Sequence, residues 1–373
     1  MGLTSNSLLV LVTLVALTVF VATIWVWPRL ARRGAGAVAG RVGMLLTTQL
    51  TLLAALGLAL NSYFGFYASF ADLFGSDDAP GQVVDQGVSG TPAKAGLYRL
   101  GHRSDGLTGG GIPSRAGRID RIAVRGATTR LTVPAYVYLP PQYFQAAHRE
   151  DRFRVAVVLT GYPGTVDSLI TRMRYPRTAD KLVREHRMKP TILVMLRPTL
   201  VPPRDTECMD VPGGPQTETF FAHDLRNAVA ANYRVGTGAQ NWGVIGDSTG
   251  GYCAVKLAMR RPTAFSAAVS LSGYYSTHND PTTGDLFGGS ASVRNENDMM
   301  WRLRHRPVPP IWALVTSSRK GEDNYGTTQS FLRAVRPPMQ ASSIILPSGG
   351  HNFTTWNREL PAALTALSKH LVP

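Results

Sequence analysis

One serine of the chain lies in a five-residue pattern that is typical of an activated hydroxyl nucleophile. The run Gly246-Asp247-Ser248-Thr249-Gly250 fits GxSxG. An apolar stretch, NWGVI, precedes it, and GYCAVKLAMRR, with helical spacing, follows it. Together they predict a sharp strand-to-helix turn that exposes the Ser248 hydroxyl above a sheet. The plainer alternative is an ordinary turn with a serine near the helix cap.

A hydroxyl nucleophile needs a base, and in this arrangement the base follows the nucleophile in the chain. Of the eight histidines, His278, His305, His351 and His370 follow Ser248. His351 stands in LPSGGHNFTTW, after an apolar stretch and two glycines, so we expect it in a loop on the rim that carries Ser248. His305 lies in a basic run and His370 in a surface helix. His278, in a polar loop, is the second candidate.

A third residue, an acid, holds the imidazole in the correct tautomer and stabilises the imidazolium. The stretch IWALVTSSRKGEDNYG supplies two adjacent candidates, Glu322 and Asp323, after a predicted strand. Adjacent side chains point in different directions, so only one of them can serve. The residues themselves leave this choice open.

Two backbone N–H groups are needed to stabilise the negative charge that develops on the reacting oxygen. One is expected from Thr249, which follows the nucleophile. The other is expected from the glycine-containing loop LTGYPG at residues 159–164. Pro163 has no N–H group, so Tyr162 or Gly161 is the donor. A plain glycine turn is the alternative interpretation.

The elements that must position these residues alternate between apolar strands and helical stretches. An opening pair, RIDRIAVRG and TRLTVPAYVYL, has the alternating pattern of antiparallel strands. The later strands are continuous apolar runs separated by helices, which predicts a mostly parallel α/β sheet flanked by helices. Reactive groups in such sheets collect at the carboxyl ends of the strands.

The N-terminal segment is apolar enough to enter a membrane. Leu8–Trp27 and about Val42–Tyr67 carry no charged side chain, and each is long enough to span roughly 30 Å of hydrocarbon. Arg29, Arg32, Arg33 and Arg41 lie between or beside them, which predicts a cytoplasmic loop and an extracytoplasmic C-terminal region. A cleavable signal peptide is the alternative, although the first residues lack a basic side chain.

Changes in composition along the chain predict its organisation. Residues 1–74 are expected to form a membrane anchor with two transmembrane helices. Residues 75–116 are rich in Gly, Ser, Asp and Pro, which predicts a flexible linker. The alternation of strands and helices then defines a catalytic domain at residues 117–373.

The net charge of +15 and the pI near 10.2 do not by themselves indicate a nucleic-acid partner. The basic residues are scattered and form no stripe with interleaved aromatic residues. The single histidines and two cysteines suggest no metal site, and we expect no cofactor. Cys208 and Cys253 both fall in the exported region, which favours a disulfide over two buried thiols.

The runs VYLPPQYF, VVLTGYPG, GDSTGGYCA, FSAAVSLSGYY and PSGGHNFTTW resemble the esterase D-like family of α/β-hydrolases, which includes mycolyltransferases and feruloyl esterases. The resemblance covers about residues 117–373 and implies an α/β-hydrolase fold. It implies that His351, five residues before Trp356, is the triad histidine and that Tyr162 is an oxyanion donor. The spacing from Glu322 to Phe331 mildly favours Glu322 as the acid. Thr160 departs from the histidine that commonly precedes this glycine in the family.

These features predict an extracytoplasmic serine hydrolase that cleaves carboxylic esters through an acyl-enzyme. Transfer of the acyl group to a sugar or glycerol acceptor is the alternative, because the triad chemistry is the same. A catalytically inactive binding module at the cell surface, or a structural protein that contacts the cell wall, is a further alternative. An envelope-associated or medium-chain acyl ester is the expected substrate. The oligomeric state is not predicted.

Overall fold

The structure, a computed structural model, describes residues 5–32, 34–64, 94–104, 107, 111–202, 204–278 and 280–372. The chain divides into two compact units, Met1–Asp77 and Asp78–Pro373. Arg33 and the aromatic residues Phe66 and Tyr67, which the sequence placed in the cytoplasmic loop and at a membrane interface, lie outside the described residues.

The N-terminal unit contains two long helices, α1 (Asn6–Val26) and α2 (Ala35–Phe64). They pack against each other, and the Thr23 and Thr48 hydroxyls share a hydrogen bond of 2.8 Å. Most of their apolar side chains are exposed, as expected for helices that face lipid. Both helices are long and apolar enough to cross a membrane and are therefore candidate spans.

Within the described residues, one sheet of nine strands forms the centre of the second unit, in the order β1-β2-β3-β5-β4-β6-β7-β8-β9. The first four strands in this order pair antiparallel, and the pairs from β5 to β9 are parallel. The strands are β1 (Leu97–Arg103), β2 (Arg118–Arg125), β3 (Thr132–Leu139), β4 (Arg154–Leu159), β5 (Thr191–Leu196), β6 (Trp242–Asp247), β7 (Ala267–Leu271), β8 (Trp312–Ser318) and β9 (Gln340–Leu346).

Helices cover both faces of this sheet. They are α3 (Pro113–Ala116), α4 (Val166–Thr171), α5 (Tyr175–Arg184), α6 (Thr217–Thr219), α7 (Leu225–Asn232), α8 (Thr249–Arg260), α9 (Ala291–Glu296), α10 (Met299–His305), α11 (Tyr325–Ala334) and α12 (Phe353–Lys369). A π-helical turn at Phe220–Asp224 connects α6 with α7.

The continuous apolar strands are buried on both faces because successive side chains point to opposite sides. Val155 and Val157 of β4 belong to one hydrophobic cluster, together with Leu257 of α8. Ala156 of β4 belongs to the other, together with Leu364 of α12. The predicted mostly parallel α/β sheet with flanking helices is confirmed.

The range expected to be a linker, 75–116, requires a correction. Leu97–Arg103 within it forms β1, which pairs antiparallel with β2, and Pro113–Ala116 forms α3. Only Leu97 of β1 is buried, because β1 lies at the edge of the sheet. The sequence of β1 therefore lacks the alternation of apolar and polar residues by which strands are predicted. The remaining described residues of this range belong to no strand or long helix.

Candidate active site

Ser248 lies at the turn between β6 and α8, with φ 53° and ψ −120°. This left-handed region is costly for a residue with a side chain and is characteristic of functional turns. The flanking glycines make the turn possible. A Cβ on Gly250 would lie 2.4 Å from the Leu159 carbonyl oxygen, and one on Gly246 would lie 2.5 Å from the Gly250 backbone. Close backbone approach therefore requires glycine at both positions.

The imidazole of His351 contacts the serine directly. Its Nε2 lies 2.8 Å from Ser248 Oγ, which is hydrogen-bond distance. His351 stands in the loop between β9 and α12, at the carboxyl end of the sheet where Ser248 also lies. The geometry is that of a nucleophile and its general base.

Trp356, on the first turns of α12, supports the histidine loop. Its ring meets the His351 ring edge-on, with centroids 5.1 Å apart, and its Nε1 donates to Ser272 Oγ at 2.9 Å. The Asn352 side chain accepts from the Thr355 N–H at 3.1 Å and caps α12. These contacts support the loop that carries His351.

Glu322 and Asp323, which the sequence could not separate, have different surroundings. Glu322 Oε1 lies 3.8 Å from His351 Nδ1, and the Glu322 side chain is only 1% exposed. Neither of its carboxylate oxygens has a hydrogen-bond partner in the described structure. Asp323 is exposed at the rim of the same cavity. Of the two acids, Glu322 is the one that stands behind the histidine.

The loop after β4, in which the sequence places an oxyanion donor, lies directly against Ser248. A Cβ on Gly161 would lie 3.1 Å from Ser248 Cβ. The Gly161 N–H donates to Asp247 Oδ2 at 2.9 Å, so this expected donor already has an acceptor. Tyr162 and Thr249 both line the cavity that contains Ser248. Thr249 begins α8, where backbone N–H groups have no partner within the helix.

Asp247 is a site residue that the sequence analysis did not single out. Its carboxylate is buried and joins the nucleophile turn to the loop after β4 through Gly161. Burial raises the pKa of Asp247 to about 6, although the Gly161 hydrogen bond and His351 both act to lower it. The sequence signal for Asp247 was its place inside the GxSxG run, directly before Ser248. The residue at that position contacts the loop of Gly161, which packs against the serine.

A second polar group borders the site on the side of α8. Tyr274 donates through its hydroxyl to Glu207 Oε1 at 2.6 Å and lies 3.3 Å from Thr249 Oγ1. Cys208, which follows Glu207 in the chain, is joined by a disulfide to Cys253 of α8, and the two Cα atoms are 5.7 Å apart. The disulfide thus connects the loop of Glu207 to the helix that follows the nucleophile.

The catalytic cavity, as we call it, has a volume of about 650 Å³ and contains both Ser248 and His351 in its lining. His278 also lines it but stacks on Tyr274, with ring centroids 4.0 Å apart. His305 and His370 stack on tryptophans outside this lining. Among the described residues, there is no group of three or more His, Cys, Asp or Glu that could hold a metal ion.

Comparison with known proteins gives the family. The family model Esterase, described as "Putative esterase", matches residues 127–368. A Corynebacterium glutamicum protein, described only as uncharacterized, is 26% identical over 235 residues, which are 60% of this chain and 54% of that protein. The chain therefore spans about half the length of this curated relative.

Solved structures share the fold. A ferulic acid esterase superposes with a TM-score of 0.57 at 19% identity, covering 68% of this chain and 98% of the esterase. An S-formylglutathione hydrolase from Agrobacterium tumefaciens gives a TM-score of 0.57 at 14% identity, covering 74% and 99%. The resemblance to esterase D-like α/β-hydrolases is confirmed. Because the family model matches more than half of its residues, this chain belongs to the esterase family.

Proposed function

We propose that the chain hydrolyses carboxylic esters through an acyl-enzyme on Ser248, in a domain that α1 and α2 anchor to a membrane. The observation that carries the proposal is the 2.8 Å contact between His351 Nε2 and a serine whose backbone is held in the left-handed region. This pair supplies a base at hydrogen-bond distance from a half-buried hydroxyl that lines the catalytic cavity, which is the requirement for covalent catalysis.

The reaction has two balanced steps. Ser248 Oγ attacks the ester carbonyl carbon while His351 Nε2 takes the hydroxyl proton; the same proton then passes to the leaving alcohol as the ester C–O bond breaks. Water next attacks the acyl carbon and gives a proton to His351, which returns it to Ser248 Oγ as the acyl–Oγ bond breaks and the free acid is released. The backbone N–H groups of Tyr162 and Thr249 are the proposed donors to the oxyanion in both steps.

Glu322 is the proposed acid of the triad. A buried carboxylate without a hydrogen-bond donor is costly, and an imidazolium at His351 offers it an opposite charge at 3.8 Å. The protonated state of His351 that forms during each step is therefore stabilised relative to the neutral one. In the resting enzyme this gap exceeds hydrogen-bond length, and such contacts commonly tighten when substrate binds.

Acyl transfer is the alternative outcome for the same acyl-enzyme. It differs only in whether water or an alcohol attacks the acyl carbon. Serine and threonine hydroxyls are frequent in the cavity lining, among them Ser276, Thr282 and Thr327, and such groups suit a polyhydroxylated acceptor as well as water. A binding module without activity is a second alternative, which an unreactive Ser248 would support.

A fluorophosphonate probe tests the proposal on the detergent-solubilised full chain. An activated serine reacts covalently with the probe, so we expect one label, located on Ser248 by peptide mass spectrometry. Ser248→Ala should abolish labelling, and His351→Ala should slow it by several powers of ten. Labelling of a different serine, or none in the wild type, would contradict the proposal.

The choice between hydrolysis and transfer needs a separate assay. An acyl p-nitrophenyl ester is supplied with and without glycerol or a sugar, and both free acid and new ester are quantified. We expect free acid as the main product. New ester as the main product in excess water would identify the protein as an acyltransferase.

A further inference from the structure

The catalytic cavity has a charge opposite to that of the protein. The whole chain has a formal net charge of +15. Yet among the described residues that line the cavity there is no lysine and no arginine, whereas six are acidic. These are Asp205, Glu207, Asp280, Asp298, Glu322 and Asp323. They come from four separate segments of the chain, so the cavity is acidic on several walls.

The wall formed by Asp205 and Glu207 is rigidly held. Glu207 is almost fully buried, and its carboxylate accepts from the Tyr274 hydroxyl and from the His278 N–H at 3.1 Å. Asp205 accepts from the Glu207 N–H at 2.9 Å. Burial raises the pKa of Glu207 to about 8, because a charge there loses contact with water. A cation bound in the cavity would favour its ionised form.

The acids at the other walls are more open. Asp280 and Asp323 are exposed. The Thr282 hydroxyl donates to Asp280 and holds the pKa of that carboxyl below its usual range, so Asp280 is ionised at neutral pH. Asp298 caps α10 by accepting from the Trp301 N–H at 2.8 Å.

The nearest basic side chains are directed to other partners. Lys256 is fully buried and donates to the backbone carbonyl of Glu207. Arg204 donates to the carbonyl oxygens of Thr283 and Asp285, at 2.8 Å and 2.6 Å. These cations do not line the cavity. The charge of Lys256 nevertheless acts on Asp205 and Glu207, so the negative charge that a bound molecule meets comes chiefly from the exposed carboxylates Asp280 and Asp323.

We propose that the substrate of this site is an ester that carries a protonated amine in its acyl or its alcohol group. The inference rests on the proposed function, because the reacting ester must occupy the cavity that contains Ser248. A cavity lined by one sign of charge concentrates ligands of the opposite sign and disfavours ligands of the same sign.

The test compares esters that differ in one terminal group, with the full chain in detergent at about pH 7, where amine and carboxyl groups are ionised. The acyl arm uses p-nitrophenyl esters of ε-aminocaproic acid, of heptanoic acid as its uncharged isostere, and of pimelic acid as an anionic half-ester. The alcohol arm compares 2-(dimethylamino)ethyl acetate, whose amine is protonated at this pH, with 3-methylbutyl acetate, its uncharged carbon isostere. In at least one arm we expect kcat/KM for the cation to exceed that for the isostere by about tenfold, which equals about 1.4 kcal/mol.

Salt and matched variants identify the source of the preference. Raising the ionic strength from about 0.02 M to about 0.5 M should reduce it, because salt screens charges at this distance. Asp280→Asn and Asp323→Asn should each lower the ratio of cationic to uncharged kcat/KM about threefold. The control is Asp151→Asn, which removes an exposed carboxylate outside the cavity lining and should leave this ratio unchanged. Fluorophosphonate labelling of each variant verifies an intact Ser248 site.

Each outcome is decisive. Equal kcat/KM for charged and uncharged esters in both arms, or the highest value for the pimelate half-ester, would overturn the inference while the esterase activity stands. A preference that persists in both cavity variants would also overturn it, since the carboxylates would not be its cause. Absence of hydrolysis of every ester, with no probe labelling, would instead be a failure of the proposed function.

Discussion

The strained backbone at Ser248 has identifiable structural support. A non-glycine residue in the left-handed region costs on the order of 1–3 kcal/mol. Three contacts hold it there: the Ser248 N–H donates to the Leu271 carbonyl at 2.9 Å, its carbonyl accepts from Tyr252 at 3.0 Å, and Gly161 lies against its Cβ. The strain keeps the hydroxyl above the strand ends, where His351 can reach it.

The two neighbouring acids give a direct prediction at this scale. Glu322→Gln should lower kcat on an uncharged ester by on the order of 10³–10⁴, because the amide no longer stabilises the imidazolium. Asp323→Asn should be at least about a hundredfold less harmful, since Asp323 is exposed and is not the acid beside His351. Steady-state kinetics of both variants on p-nitrophenyl acetate measure the difference. Equal losses would place the triad acid elsewhere.

At the residue scale the sequence carried part of the site. The Ser248 turn and the His351 loop were predictable because a strand, a sharp turn and chain order constrain them. The acid was not, because Glu322 and Asp323 are adjacent and only the path of the loop after β8 decides which carboxylate turns inward. The sequence did not predict three buried acids, Asp247, Glu207 and Glu359 of α12. The role of each depends on contacts between segments that are distant in the sequence.

The disulfide is an element-scale feature that should contribute to stability. It joins residues 45 positions apart, so it restricts a long loop in the unfolded chain. The loop length corresponds to about 4 kcal/mol in the chain-entropy model, and measured values commonly lie near 2–4 kcal/mol. Cys208→Ser should therefore lower the free energy of unfolding by about this amount, as measured by denaturant titration in detergent.

The paired variant provides the control. Cys253→Ser and the double serine variant should be destabilised about as much as Cys208→Ser, because all three remove the same bond. Non-reducing peptide mapping of the wild type should recover the linked peptides. A double variant that loses the sum of the two single effects would mean that the cysteines contribute separately and not through a bond.

Helix α12 carries a buried acid that makes stability depend on pH. Glu359 accepts from the Thr316 hydroxyl of β8 at 2.6 Å, and burial together with the charge of Glu322 raises its pKa from 4.5 to about 8. The unfolded chain ionises first as the pH rises, so the stability that the protonated form contributes is complete below pH 4.5 and lost by about pH 8.

Glu359→Gln should remove this dependence. Relative to wild type, the variant should gain a few kcal/mol of unfolding free energy between about pH 5 and about pH 8, since the amide needs no proton. Glu185→Gln, which alters a partly exposed acid of a surface ion pair, is the control and should follow the wild type within about 0.5 kcal/mol at each pH. A constant difference between Glu359→Gln and wild type across this range would contradict the assignment.

The elements were predictable where hydrophobic pattern dominates. Strands β4 to β8 and helix α12 follow apolar runs that only a sheet with two covered faces or an amphipathic helix can bury. Residues 168–188 have the composition of one continuous helix, but the structure divides this stretch into α4 and α5, with Arg174 between them at φ 56°. Helices α9 and α10 are short and begin at polar caps, Ser290 and Asp298. Their sequences are too short to show the hydrophobic periodicity by which helices are predicted.

At the scale of the whole molecule, the distribution of charge separates two effects. The chain is basic overall, while the described lining of the catalytic cavity is acidic. A basic exterior favours contact with anionic surfaces, which is a matter of location, whereas the cavity governs which ester reaches Ser248. A basic exterior and an acidic cavity are therefore compatible in one enzyme, which can lie at an anionic envelope and still select cationic esters there.

We predict that the chain is oriented in the membrane with its second unit on the extracytoplasmic side. Arg29, Arg32 and Arg41 lie at or between the ends of α1 and α2, and such charges remain in the cytoplasm. Two spans then carry the second unit outside, where a disulfide such as Cys208–Cys253 persists. In intact cells, added protease should remove an epitope at the C-terminus and spare one inserted after Ala31, and permeabilisation should expose both. A protected C-terminal epitope would refute the orientation, and a mature protein lacking α1 would identify that helix as a cleaved signal peptide.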